Sequence, residues 1–225
     1  MVNSNTILLT EMVNEGVKFM NEKFYNLPIE KQQKIINAGF RVFSKNDYKK
    51  ASTEEIAQEA EISKGLLFYY FENKLGLYCF LYEYATKFVA SELDSSDGDE
   101  ETDFFKFIIE KNIEKVKVMK KFPYLYQFVL KSFYDKTPGV SEKISRYNED
   151  YLFSIISQRF SKIDFSKFKD NVDVQLVIKM LYWLGIGYMK ERFEKDDMSL
   201  DEIMSDFESV LNLLKYNLYK EEFCK

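Results

Sequence analysis

Histidine is absent from all 225 residues. That removes His-based triads, His general bases and His metal ligands from consideration. Carboxylates remain, but no pair of acidic residues sits inside an apolar pattern, so no catalytic residue, metal site or cofactor is expected and an enzyme reading is weak. The only cysteines, Cys79 and Cys224, lack metal-ligand spacing and fit a reducing cytoplasm. Three prolines, eight glycines and no run of alternating apolar and polar residues exclude a sheet-based fold and point to an all-α protein. Long apolar segments are missing too. The longest, Met180 to Met189, follows Lys179 and is too short to span a bilayer. Ile7 to Leu9 is too short for a signal peptide and is followed by Glu11 and Glu15. The expectation is a cytoplasmic protein with no membrane partner.

Charge is present but unevenly spread. The net charge is −5, yet Lys23 to Gly76 holds nine Lys/Arg against seven Asp/Glu. That segment carries +2 and the remainder −7. A mildly basic head on an acidic body suits a nucleic-acid binder whose grip must be releasable.

The head contains the most informative stretch, Ala51 to Lys74. Ser52 and Glu55 have the spacing of a capping box, opening a short helix to about Ala60 with Ile56, Ala57 and Ala60 on one face. Ser63 is an apt N-cap for a second helix. There Leu67, Phe68 and Phe71 are expected to point inward, while Gly65, Leu66 and Tyr69 face out with Lys64 in the first turn. Two short helices in this arrangement form a helix-turn-helix, whose second helix enters the DNA major groove. Gly65 would admit the DNA backbone, Leu66 would touch a thymine methyl, Tyr69 would donate to a phosphate or base edge, and Lys64 and Lys74 would pair with phosphates. An ordinary helical hairpin with a solvated face is the plainer alternative.

The order of residues is more specific than the pattern. Over residues 28–78 the chain resembles the tetracycline-repressor (TetR) family of bacterial transcription regulators. The resemblance rests on Ile35, Ile36, Phe40 and Phe43, then Tyr48, Ala51, Ser52, Ile56, Ala57 and Ala60, then Ile62-Ser63-Lys64-Gly65, Leu67 to Phe71 and Lys74. It implies DNA contacts from Lys64, Gly65, Tyr69, Tyr70 and Lys74, and a phosphate contact from Ser52. Asp47 and Glu61 stand where glycine is common in that family, and Leu66 where a small polar residue is frequent. If both acidic residues take left-handed geometry, each lost glycine costs about 1 kcal/mol.

The division expected from these features is an N-terminal extension over 1–26, a DNA-binding domain over 27–74 and a ligand-binding and dimerisation domain over 75–225. A long helix is predicted from Leu75 to about Leu93, then an acidic loop from Asp94 to Glu101, then helices at about 103–120, 123–135, 141–162, 172–194 and 200–220. Val174 to Met189 is apolar nearly all round and is expected to be buried on both faces. The last helix opens with a capping box, Ser199 to Glu202. The resemblance implies that the last two helices pair with their copies in a homodimer, with Gly185 and Gly187 allowing close approach, and that a small apolar or aromatic effector lies among the body helices. Tyr126, Tyr151 and Trp183 are the candidate ligand-binding residues, since each ring offers a flat apolar face and one polar handle. The expected partners are a double-stranded DNA operator, a second copy and that effector. The rival from another class is a helical small-molecule binding protein or enzyme with a vestigial helix-turn-helix.

Overall fold

The computed structural model describes residues 22–94, 101–148, 160–195 and 199–224. All its long elements are helices: α1 Glu22–Tyr25, α2 Ile29–Lys45, α3 Thr53–Glu59, α4 Lys64–Phe71, α5 Lys74–Asp94, α6 Phe104–Lys121, α7 Pro123–Tyr134, α8 Val174–Glu194 and α9 Leu200–Leu218. Residues 140–148 are helical as well. The all-α expectation holds among the described residues, with helix ends within a few residues of those predicted, except that the helix predicted at about 141–162 runs through residues 149–159, which lie outside the described residues. Residues 1–21 and 95–100 carry expectations that lie outside the described residues.

Caps set several of these boundaries. Ser52 Oγ accepts the Glu55 amide at 3.3 Å, Ser63 Oγ the Leu66 amide at 3.1 Å and Ser199 Oγ the Glu202 amide at 3.5 Å. Asp173 performs the same service for α8 by accepting from the Leu176 amide.

Two compact units share the chain. The first is built from the described residues up to Glu92 together with those from Phe122 to 148. It therefore takes in α7. Within it α2 packs extensively on α7 as well as on α3. Phe128 of α7 is fully buried, with its ring 5.4 Å from Phe40, 5.9 Å from Phe43 and 4.9 Å from Tyr78. Tyr78 Oη and Ser132 Oγ are hydrogen-bonded at 2.9 Å, fixing α5 to α7. The second unit gathers Phe104, Phe105, Phe168, Leu211 and Tyr219 into its own core. An antiparallel bridge between Phe168 and Tyr219 ties the chain together there.

The corner between α4 and α5 is tight. Glu72 sits at φ 62°, ψ −53°, and the Asn73 amide reaches back to the Phe71 carbonyl at 2.6 Å. That is a γ-turn of the strained, positive-φ kind. Glycine adopts this geometry without the Cβ clash. Glu72→Gly is therefore expected to raise the free energy of unfolding in urea by about 1 kcal/mol.

Candidate nucleic-acid interface

Helix α4 is held by its inner face. Leu67 is fully buried and Phe71 nearly so, with the Phe71 ring 5.0 Å from both Phe24 and Phe80. The outer face carries Lys64, Gly65, Leu66 and Tyr69, all exposed, Leu66 by 37% and Tyr69 by 54%. Ser63, also exposed, caps the helix. Ser52 is half-buried and donates its hydroxyl to Glu54 at 3.2 Å.

Two expectations about α4 need correcting. Tyr70 is buried, at 6% exposure, with its ring edge-on to Phe24 at 6.1 Å. It belongs to the scaffold behind the reading face, because position 70 follows Leu67 by three residues on the same side of the helix. Phe68, expected inside, is only half-buried and flanks Lys64, whose ammonium lies 5.6 Å from its ring. Of the two acidic residues at glycine-favoured positions, Glu61 does take left-handed geometry, at φ 57°, whereas Asp47 does not.

The cations of the head are mostly engaged. Lys64 pairs with Glu54, Lys34 with Glu61, and Arg41 with Glu59 at 2.7 Å. The hydrogen bond from Lys64 holds the Glu54 carboxyl down to about 2. Lys74 donates to the Lys49 carbonyl at 3.2 Å and lies over the Tyr48 ring, and its burial lowers its pKa from the ordinary ammonium range. Glu54 thus occupies the place a phosphate would take beside Lys64. Glu54→Gln is expected to strengthen binding to any duplex and to steepen its salt dependence by up to roughly one unit of log–log slope per subunit. A titration of non-sequence-specific DNA at several salt concentrations measures it.

The ligand-binding candidates fall in different places. Tyr126 belongs to the first unit and its hydroxyl is shut off from solvent with no hydrogen-bond partner, which pushes its pKa up to about 12 through burial first and Tyr134 second. Trp183 belongs to the second unit and is 60% exposed, so its own subunit does not enclose it. Tyr151 lies outside the described residues. The expectation that α8 is buried on both faces also fails within one chain. Only Val177 and Ile178 of α8 are buried, while Leu176, Met180, Tyr182 and Leu184 join Trp183 at the surface.

Local sequence reasoning missed the contribution of α1. Phe24 is fully buried in the head, though Pro28 reads as a boundary after it. The signal available was the Phe24-Tyr25 pair just ahead of that proline, an apolar residue of the kind that pins the chain entering a helix.

A buried-backed α4 with an open, partly cationic outer face, capped and preceded by α3, has the arrangement of a helix-turn-helix. Residues 35–78 match the family model of bacterial regulatory proteins, tetR family. No curated protein matches it. Among solved structures it is similar to a TetR-family transcriptional regulator from Chloroflexus aurantiacus, at 20% identity and TM-score 0.59, covering 89% of this chain and 99% of that one. It is similar to FadR from Bacillus subtilis in complex with stearoyl-CoA, at 18% identity and TM-score 0.60, covering 80% and 96%. NalD of Pseudomonas aeruginosa, the secondary repressor of the MexAB-OprM multidrug efflux pump, is similar at 15% identity and TM-score 0.63, covering 86% and 100%. These likenesses establish the fold. No helix among the described residues is long and apolar enough to cross a membrane.

Proposed function

We propose that the protein is a cytoplasmic, homodimeric, ligand-responsive transcription regulator that represses its target genes. The observation carrying this reading is the open face of α4, with Lys64, Gly65, Leu66 and Tyr69 outside and Leu67 and Phe71 locked inside. Two such helices, one from each subunit, enter successive major grooves of a pseudo-palindromic operator. Lys64, Lys74 and Ser52 bind backbone phosphates, and Leu66 and Tyr69 read base edges.

The second copy docks on α8 and α9. Leu176, Met180 and Trp183 fall on one side of α8 at helical spacing, and Leu213 and Tyr216 are 63% and 72% exposed on α9. A methyl added at Gly187 would meet nothing within its own chain, which leaves room for a partner helix to come close. An isologous pairing of these faces covers the apolar surface in both subunits at once.

The effector is a small apolar or aromatic molecule. The stearoyl-CoA of the Bacillus subtilis FadR neighbour supports an apolar class. The unpaired Tyr126 hydroxyl supports a polar group on the same molecule, because a buried hydroxyl without a partner carries a desolvation cost of about 1–3 kcal/mol. An effector that favours one placement of α7 acts directly on α2 through Phe128 and on α5 through the Tyr78–Ser132 bond. Only a difference in affinity between two states moves such an equilibrium.

The test is gel retardation of DNA flanking the protein's own gene, with stearoyl-CoA as the first effector tried. Retardation that an effector reverses supports the reading. A protein that retards neither this DNA nor any sequence selected from a random pool is the helical binding protein or enzyme of the rival reading.

A further inference from the structure

Lys23 stands out among the cations of the head. Its neighbour Phe24 is fully buried, with its ring centroid 5.0 Å from both Phe71 and Phe80. The bend that follows is tied down by Gln32, whose amide nitrogen donates to the carbonyls of Tyr25 at 3.0 Å and Leu27 at 2.8 Å. With its flanking residue anchored in this way, Lys23 is exposed and extends along the outer side of α4. Its ammonium lies 4.2 Å from the centroid of the Tyr69 ring.

A cation over an exposed aromatic face gains modestly, enough to favour one placement of a long side chain without immobilising it. Lys34, Arg41 and Lys64 each face a carboxylate, whereas Lys23, like Lys31, Lys45 and Lys49, forms no ion pair among the described residues, and it is Lys23 that lies over the Tyr69 ring of the outer face. It is a charge held ready at the edge of the reading face, with no internal counter-ion to displace. Its natural counter-charge is the phosphate backbone running beside the groove that α4 enters.

We propose that Lys23, seated on the Tyr69 ring, is a further DNA-backbone contact of this protein and extends the interface from the helix-turn-helix to α1. The inference rests on the DNA-binding reading above. Each phosphate contact made by a lysine contributes about 0.9 to the slope of log affinity against log salt. The experiment measures that slope by fluorescence anisotropy, using a duplex selected by the wild-type protein from a random pool and a scrambled duplex of the same length. Lys23→Ala is expected to lower the slope by about 0.9 per subunit on both duplexes, with thermal unfolding unchanged. Lys23→Arg is expected to restore it. A wild-type slope in Lys23→Ala, from a protein that does bind the duplex, overturns the proposed contact and leaves the DNA-binding reading standing. A wild-type protein that binds neither duplex overturns that reading, and the contact with it.

Discussion

Leu213→Asp combined with Tyr216→Asp is expected to yield a folded monomer that no longer holds its operator. Both side chains are mostly exposed in the single chain, so neither replacement disturbs the core around Leu211 and Tyr219. In an isologous dimer each substitution appears twice, so four carboxylates would lose water at one interface. Burying unpaired charge costs several kcal/mol per ion in real proteins, more than the apolar contacts they replace could supply. The two recognition helices then bind independently. Residual affinity should fall to the non-specific level, roughly a thousandfold or more weaker, and the salt slope should drop to about half. Sedimentation equilibrium and anisotropy read the two effects. Trp183, the only tryptophan and 60% exposed, reports the same change by a red shift of its emission on dissociation. A double variant that stays dimeric and keeps operator affinity would place the interface elsewhere.

Gly76→Ala is expected to damage both stability and DNA binding. A methyl at Gly76 would stand 2.2 Å from the Phe71 carbonyl oxygen and 3.3 Å from its carbon. The obstacle is backbone, so no side chain can swing aside. Either α5 or the end of α4 must move. Overpacking typically costs about 1–3 kcal/mol, and a rigid backbone neighbour puts this case at the upper end. The first turn of α5 is further fixed by Asn73, whose side-chain oxygen accepts the Gly76 amide at 2.9 Å. Gly65→Ala provides the contrast. Its added methyl meets only Ser63 Oγ, at 3.9 Å, so the fold is expected to be unharmed or slightly steadier. Operator affinity should still fall, because that methyl would stand between α4 and the DNA backbone. Differential scanning calorimetry with operator titration separates the two. Equal melting temperatures for Gly76→Ala and wild type would contradict the close packing of this corner.

Much of the head was legible because its signals are local. Ser52 and Ser63 mark helix starts, and Leu67 with Phe71 marks the inner face of α4 through a spacing of four residues. Tyr70 is buried because helix geometry puts position 70 beside Leu67, which the family resemblance does not convey. The strained turn at Glu72 carried no signal, since glycine is the usual mark of such geometry. The packing of α7 on α2 could not be read at all. Phe128 and Phe40 are far apart in sequence, and an apolar stripe says that a face is buried without naming what buries it. For α8 an all-round apolar helix reads as interior, yet one chain leaves Leu176, Met180 and Trp183 exposed.

The most direct test of the account is a hydroxyl-radical footprint of wild type and Tyr69→Ala on a duplex enriched from random sequence. The account expects two protected half-sites on one face of the helix, about 10 base pairs or a multiple apart, and loss of that protection in Tyr69→Ala. Protection that survives unchanged in Tyr69→Ala, or no enriched sequence at all, would contradict the claim that α4 presents Gly65, Leu66 and Tyr69 to DNA.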